Sequence, residues 1–174
     1  MFKVSYPSPI GPLVLIASGG RIVYCNWSSS DCKYKEKSMI EKLDGCESEE
    51  DRVMINRAIC QLDEYFVRKR EIFDLAVEFR GSEFQKLVWL SICKIGYGST
   101  ISYKELAQMI GKPTAIRAVA NACGANPLGI IVPCHRVVSS LGKLGGYTGG
   151  LNKKIALLQL ENQNNTFINN DLYR

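Results

Sequence analysis

The segment Ile130–Val138 constrains this chain more than any other stretch. It is an apolar run, interrupted by Pro133, that contains the triplet Cys134, His135 and Arg136. A reactive thiol, the single imidazole of the chain and a permanent cation therefore lie among side chains that belong in a core. Buried segments accept such groups when they are paired or needed for chemistry. We therefore predict that the fold serves to bury and position Cys134.

The composition limits the class of protein. The 174 residues, 46% of them hydrophobic, suffice for one large or two small domains whose core needs no disulfides. Seven cysteines without regular spacing favour a reducing compartment, and a single histidine argues against a zinc site of the usual kind. No apolar run of about 18 residues is present, so no membrane span is expected. We expect a cytoplasmic protein, or a nuclear one if the source is a eukaryote.

The positive charge lies in the second half of the chain. Residues 1–80 carry 12 Lys and Arg against 13 Asp and Glu, a net charge of −1. Residues 81–174 carry 10 against 4, a net charge of +6. A basic half beside a neutral one indicates a polyanionic partner such as nucleic acid, although a solvated surface is the simpler alternative.

Residues 1–80 predict a small α/β domain. Short apolar segments separated by turn residues, including Gly19 and Gly20, indicate an antiparallel meander, and a stretch of helical periodicity follows. The expected elements are strands over 2–6, 13–17, 21–27 and 73–79 and a helix over 53–68. This half contains no recognisable catalytic constellation, so we expect it to support the second half.

Residues 81–174 predict a second, mainly helical domain. Two capping-box patterns begin helices; they are Ser82 with Gln85 and Ser102 with Glu105. The expected helices run to residue 92, over 103–110, and from Pro113 or Thr114 to Gly124. Two short helices joined by a tight turn form a helix-turn-helix pattern, which is typical of DNA binding but also occurs in other helical pairs.

The second helix of this pair has an unusual surface for a DNA reader. It contains four alanines and a single cation, Arg117, and offers few long polar side chains to base edges. Small side chains suit a shallow minor groove, whereas core packing is the alternative explanation for at least half of the alanines. After it, 128–132 is expected to be a strand, 139–150 a glycine-rich loop over a pocket, 151–161 a helix, and the remainder a tail.

A nucleophilic role for Cys134 requires a neighbour that stabilises its thiolate, and His135 and Arg136 are the candidates. A cysteine protease is disfavoured, because in those families the histidine lies far along the chain from the cysteine. A buried inert cysteine would explain either Cys134 or His135 alone but explains the pair poorly.

These motifs together resemble the O6-alkylguanine-DNA alkyltransferase family, also called methylated-DNA–protein-cysteine methyltransferases. The resemblance is dense over about residues 80–161, where the family's motifs occur in order and at its spacing. They are Pro133-Cys134-His135-Arg136-Val137, Phe84-Gln85 to Trp89, Ile101-Ser102-Tyr103, Arg117-Ala118-Val119, Asn126-Pro127, Gly146 to Leu151, and Glu161. The resemblance implies a ribonuclease H-like domain over 1–80 and a winged helix-turn-helix domain over 81–174.

The family's roles imply a catalytic set of Cys134, His135, Glu161 and Tyr103. Cys134 would attack the alkyl carbon, His135 would take the thiol proton through a water, and Glu161 would orient His135. Tyr103 would rotate a phosphate and protonate the leaving guanine. Arg117 would fill the space left by the flipped base, and DNA contacts would come from Arg117, Tyr103, Ala118 and Thr114. The implied base pocket contains Asn126, Pro133, Val137, Gly145, Tyr147 and Thr148.

The resemblance implies stoichiometric, irreversible alkyl transfer from O6-alkylguanine, and also from O4-alkylthymine. The partner would be alkylated double-stranded DNA, and the protein would be a monomer without cofactor, metal or membrane association. Two positions depart from the family pattern: Ile116 replaces a small residue on the DNA face, and Thr148 replaces a serine and narrows the pocket. The alternatives are a damage-binding module, which would lack the cysteine, and a transcriptional regulator, which would leave the Cys-His-Arg segment unexplained.

Overall fold

The computed structural model describes residues 1–28, 48–139 and 143–162, which form two compact units. The first unit contains Met1–Arg80 and Pro127–Ile131. The second contains Gly81–Asn126 and the chain from Val132 onward. No helix within the described ranges is long and apolar enough to cross a lipid bilayer.

A three-stranded antiparallel sheet forms the centre of the first unit. Its strands are β1 (Phe2–Ser8), β2 (Gly11–Ser18) and β3 (Arg21–Trp27), in that order, so the predicted meander is confirmed. Gly19 and Gly20 connect β2 to β3 with φ angles of 59° and 68°. Both angles lie in the left-handed region that a two-residue hairpin turn requires, and glycine adopts it without a steric penalty.

Helix α1 (Glu49–Phe66) packs on this sheet. Its buried face includes Ile55, Ala58 and Leu62, as their helical spacing predicted. The helix begins four residues earlier than expected, because the side chain of Ser48 accepts a hydrogen bond from the backbone N–H of Asp51. Such a cap satisfies one of the free donors at a helix start.

The predicted strand over 73–79 is wrong. Only Val77 pairs with β3, through a parallel bridge to Ile22. The side-chain amide of Gln61 on α1 bonds both the N–H and the C=O of Asp74, each at 2.9 Å. The backbone of this segment is therefore occupied partly by a helix side chain rather than by a neighbouring strand.

The predicted strand over 128–132 is also wrong. Leu128 makes an isolated bridge to Cys25, and the chain then turns, with the N–H of Ile131 bonded to the C=O of Gly129 at 2.9 Å. Ile130 has a φ of 69°. A β-branched residue in the left-handed region costs about 1–3 kcal/mol, so the surrounding structure must impose this conformation.

The described part of the second unit contains four helices: α2 (Glu83–Ile92), α3 (Tyr103–Met109), α4 (Ile116–Gly124) and α5 (Leu151–Glu161). Both predicted capping boxes are present at the starts of α2 and α3. Helix α4 packs on α2 and α3, and the indole Nε1 of buried Trp89 donates to the C=O of Ala122 at 2.8 Å. Helix α4 begins at Ile116, later than expected, because Ala115 instead closes a turn onto Lys112.

Two short parallel strands complete the second unit. Strand β4 (Ile101–Ser102) pairs with β5 (Val137–Val138), with Ile101 opposite Val137. Tyr103 directly follows β4, and the triplet that begins at Cys134 directly precedes β5. This pairing therefore brings the start of α3 to the segment that contains the cysteine.

Candidate active site

Cys134 lies on a single 3₁₀ turn, Cys134–Arg136, rather than at the end of a strand. Pro133 precedes the turn, and its C=O accepts from the N–H of Arg136 at 3.0 Å. A 3₁₀ helix has three residues per turn, so consecutive side chains point about 120° apart. Cys134 is therefore free to face one set of partners while His135 and Arg136 face another.

Asn126 holds the sulfur of Cys134. Its Nδ2 lies 3.2 Å from Sγ of Cys134 and 2.8 Å from the C=O of Val132. The same residue is buried, and its N–H bonds the C=O of Cys123 near the end of α4. The side chain therefore ties the end of α4 to the segment that contains Cys134.

Glu161, at the end of α5, forms hydrogen bonds with both residues that follow the cysteine. Its Oε1 lies 2.8 Å from Nε2 of His135, and its two oxygens accept from Nε and Nη2 of Arg136 at 2.9 and 3.0 Å. Burial raises the pKa of Glu161, but its hydrogen bonds with His135 and Arg136 and the charge of Arg136 outweigh burial and hold the pKa at about 2. The carboxyl group is therefore ionised at neutral pH.

An ionised Glu161 determines the tautomer of His135. A carboxylate only accepts hydrogen bonds, so Nε2 of His135 must be the donor and Nδ1 carries the free lone pair. Nδ1 is buried and has no hydrogen-bond partner among the residues that the structure describes. Burial lowers the pKa of His135 despite the neighbouring carboxylate, so the ring is neutral and Nδ1 is available as a base.

The resting nucleophile is a thiol. Cys134 is 8% exposed, and burial raises its pKa, opposed by the hydrogen bond from Asn126 and the charge of Lys154. Arg136, which the sequence offered as a stabiliser of the thiolate, instead bonds Glu161 and the C=O of Ile95, the latter at 2.6 Å. Sulfur chemistry at Cys134 therefore requires a group that removes its proton.

Tyr103 places a protonated phenolic hydroxyl at the edge of this site. Burial raises its pKa to about 12, so its hydroxyl stays protonated. Gly145 lies against the ring: a Cβ at this position would stand 2.9 Å from Cε2 and 3.0 Å from Oη of Tyr103. Gly145 also has a φ of 66°, so conformation and space both require glycine there.

The glycine-rich loop between β5 and α5 is held from two sides. Nζ of Lys154 donates to the C=O groups of Val137, at 2.7 Å, Gly146, at 3.4 Å, and Leu144. The hydroxyl of Thr148 donates to the C=O of Gly124 at 2.8 Å. Burial lowers the pKa of Lys154 to about 8.

Lys154 was not predicted from the sequence. It is fully buried, and it lies three and seven residues before the buried residues Leu157 and Glu161. That spacing places it on the inner face of α5 and was a detectable signal. Helical periodicity could not reveal that backbone carbonyls would receive its ammonium group.

Three of the four predicted DNA-contacting residues lie at the start of α4 or just before it, whereas Tyr103 is the first residue of α3. Ile116, Arg117 and Ala118 are exposed in the first turn of α4, and Thr114 is exposed in the preceding turn rather than on the helix. Ala122 is buried, so the core explanation holds for this alanine and not for Ala118.

All predicted site residues lie in the second unit. The remaining pocket candidates are Pro133 and Val137, both buried, and Tyr147, which is half-buried. Within residues 1–28, 48–139 and 143–162, no group of three or more His, Cys, Asp or Glu side chains is arranged to hold a metal ion. The site combines a buried thiol, a neutral base, an ionised orienting carboxylate and a phenolic donor.

Two protein-family models match the chain. The model for the 6-O-methylguanine DNA methyltransferase, ribonuclease-like domain matches residues 1–79. The model for the 6-O-methylguanine DNA methyltransferase, DNA binding domain matches residues 83–163. Together they match both halves of the chain.

Individual relatives agree with these models. Proteins named methylated-DNA--protein-cysteine methyltransferase from Methanosarcina barkeri and Mycobacterium leprae are each 43% identical over 157 residues, which is 90% of this chain and 94% and 90% of theirs. The crystal structure of Mycobacterium tuberculosis OGT in complex with DNA is 40% identical, covers 91% of each chain and gives a TM-score of 0.76. The O6-methylguanine-DNA methyltransferase from Pyrococcus kodakaraensis is 26% identical, covers 91% of this chain and 97% of that one, and gives a TM-score of 0.61.

Proposed function

The chain belongs to the 6-O-methylguanine DNA methyltransferase family, and we propose that it repairs DNA by moving the alkyl group of O6-alkylguanine onto its own Cys134. The observation that carries this proposal is the arrangement of Asn126, Cys134, His135 and Glu161. A buried sulfur lies 3.2 Å from one amide, and the next residue is a base oriented by an ionised carboxylate. The repair is a direct reversal of damage, because the guanine stays in the DNA.

The chemical step is a displacement at the alkyl carbon. Sγ of Cys134 forms a bond to that carbon while the bond from carbon to O6 of guanine breaks. The thiol proton passes through a water to Nδ1 of His135, and the leaving guanine takes a proton from the hydroxyl of Tyr103. Glu161 stabilises the imidazolium that forms, as the acid of a catalytic triad does. Atoms and charges balance without a cofactor.

The reaction ends with a thioether. No group in the proposed scheme breaks the bond from sulfur to carbon, so each molecule acts once. The alkylated side chain occupies the position where Nδ2 of Asn126 bonds Sγ. We therefore propose that alkylation weakens the link between the end of α4 and Cys134.

DNA binding is proposed to use α4. Exposed Arg117 and Ala118 lie in its first turn, and small side chains allow close approach to a minor groove. A base buried in a duplex must leave the stack before a side chain can reach its O6 substituent. Arg117 would take the place of the flipped base, while Thr114 and Tyr103 would contact the backbone.

The flipped base is proposed to enter a pocket between the thiol segment and the glycine-rich loop. Its lining residues are Asn126, Pro133, Val137, Gly145, Tyr147 and Thr148. O4-alkylthymine presents a comparable exocyclic oxygen and is proposed as a second substrate. Ile116 on the DNA face would alter the fit to the groove, because it replaces a smaller residue.

The cellular compartment is proposed from the state of the cysteines. All five cysteines in the described ranges (Cys25, Cys60, Cys93, Cys123 and Cys134) are free, which suits a reducing compartment that contains DNA. We propose the cytoplasm, or the nucleus in a eukaryote. We further propose that the protein acts as a monomer without membrane association, because one chain holds the whole proposed site.

A titration of damaged duplex tests this function. Increasing amounts of duplex containing O6-methylguanine are incubated to completion with a fixed amount of protein, and the remaining modified base is measured by chromatography. The proposal predicts loss of one modified base per protein molecule and then no further loss, with no loss in Cys134→Ala. Binding of the modified duplex without loss of the methyl group would instead identify a damage-binding module.

A further inference from the structure

The carbonyl groups at the end of α4 all have defined partners. The last four C=O groups of a helix have no N–H donor within the helix and need other donors. Here the C=O of Asn121 accepts a hydrogen bond from the N–H of Ala125, and the C=O of Cys123 accepts one from the N–H of Asn126. The C=O of Ala122 accepts from Nε1 of Trp89, and the C=O of Gly124 accepts from the hydroxyl of Thr148, each at 2.8 Å. The donor to Gly124 differs from the others because it comes from the glycine-rich loop.

We propose that Thr148 is a positioning residue that latches the pocket loop to the end of the DNA-facing helix. The inference rests on the proposed function, in which this loop lines the base pocket. Its hydroxyl proton is directed to Gly124, so the role assigned here is to fix the loop rather than to donate to the substrate.

The hydrogen bond of Thr148 fixes a part of the loop other than the one bonded by the side chain of Lys154. Lys154 bonds the carbonyls of Leu144 and Gly146, whereas Thr148 lies beyond them toward α5. One side of the loop is thereby fixed to α5 and the other to α4. Gly145, between the two carbonyls that Lys154 bonds, is the residue packed against Tyr103.

The end of α4 thus holds both walls of the proposed pocket. Asn126, two residues beyond the helix, bonds Sγ of Cys134, and Gly124, its last residue, bonds the loop. Arg117 lies at the other end of the same helix. A helix that displaces a base while fixing the pocket that receives it reduces the ordering needed during the reaction. Loss of the latch should slow transfer from DNA while leaving the thiol itself intact.

Three variants at position 148 separate the effect of the hydroxyl donor from the effect of side-chain size. Thr148→Val is nearly isosteric and lacks the donor, Thr148→Ala lacks it with less bulk, and Thr148→Ser retains it. For each, we would measure single-turnover transfer from a methylated duplex, alkylation of Cys134 by iodoacetamide, and amide hydrogen exchange of 143–150 without DNA. Thermal unfolding verifies that each variant is folded.

The latch predicts faster amide exchange in the loop of DNA-free Thr148→Val and Thr148→Ala, and transfer from duplex slowed about tenfold. Alkylation of Cys134 by iodoacetamide should stay at the wild-type rate, and Thr148→Ser should resemble wild type in all three measurements. Unchanged loop exchange in both donor-less variants would overturn the latch, as would wild-type transfer rates in both. If wild-type protein fails to transfer at all, the proposed function fails, and the exchange measurement alone still decides the latch.

Discussion

Oε1 of Glu161 lies 2.8 Å from Nε2 of His135, and the same carboxylate accepts two hydrogen bonds from Arg136. One buried anion therefore orients the base and neutralises the cation beside it. The arrangement links activity to stability, because removing the carboxylate disturbs both neighbours.

Glu161→Gln should destabilise the second unit and slow alkyl transfer. The substitution leaves the guanidinium of Arg136 buried without its counter-charge, which typically costs about 3 kcal/mol or more. Urea unfolding measures this cost, and single-turnover assays measure the rate. Glu83→Gln, at an exposed position in the first turn of α2, is the matched control and should behave like wild type. Equal stability of both variants would contradict the structural role.

The stability of the protein should fall in acid because of the same residue. The pKa of Glu161 in the folded protein is about 2, below its ordinary value of 4.5. A carboxyl group with a lowered pKa stabilises the fold above the unfolded pKa and loses that contribution as pH falls toward the folded one. Urea midpoints measured between pH 5 and 2 should therefore fall more steeply for wild type than for Glu161→Gln. Parallel curves for the two proteins would argue against a depressed pKa.

Lys154→Met should make Cys134 less acidic. The ammonium group lowers the pKa of the thiol, so its removal should move the pH profile of iodoacetamide alkylation to higher pH. Loss of donors to buried carbonyls should also destabilise the fold by about 1–3 kcal/mol. Lys153→Met, on the neighbouring position, provides the control. An unshifted profile in folded Lys154→Met would show that the charge does not act on the sulfur.

Gly145→Ala should displace the ring of Tyr103. The new Cβ would lie 2.9 Å from Cε2 of Tyr103. The substitution would also place alanine at a φ of 66°, which favours glycine. We expect a cost of about 1–3 kcal/mol and slower transfer, because the proton donor would move. Gly146→Ala is a matched control, since no heavy atom lies within 4 Å of its added Cβ. Transfer and stability that are equal in the two variants would refute the contact.

Arg117→Ala should impair reaction with DNA but not with small reagents. Its side chain is exposed at the start of α4, away from the buried thiol network. We expect transfer from a methylated duplex to fall on the order of tenfold or more, with alkylation by iodoacetamide unchanged. Lys86→Ala on α2 controls for loss of one surface cation. Equal reduction in both variants would indicate a general charge effect rather than a specific role for Arg117.

Local sequence patterns predicted the elements whose signals are themselves local. The capping residues Ser82 and Ser102 marked the true starts of α2 and α3, and the last helix was expected at the bounds that it has. The motif around Cys134, together with the other motifs in order over residues 80–161, identified the family. Family resemblance, rather than spacing, supplied the roles of Tyr103 and Glu161.

Other features depend on contacts that no local pattern encodes. An apolar run predicts burial, but it could not distinguish a strand from the turn that places Ile130 in the left-handed region. The apolar residues over 73–79 were read as a strand, whereas the amide of Gln61, on a different element, bonds the backbone of Asp74. The burial of Lys154 likewise depends on carbonyls of β5 and of the loop before α5, outside the helix whose periodicity was read.

The central claim is that the sulfur of Cys134 accepts the alkyl group. The direct test is mass spectrometry of the protein after one turnover with a duplex containing O6-methylguanine, followed by fragmentation of its peptides. We predict a mass gain of one methyl group in place of one proton, located on Cys134, and no gain in Cys134→Ala. A methyl group on another residue, or a folded wild-type protein that removes the modification without gaining mass, would contradict the account.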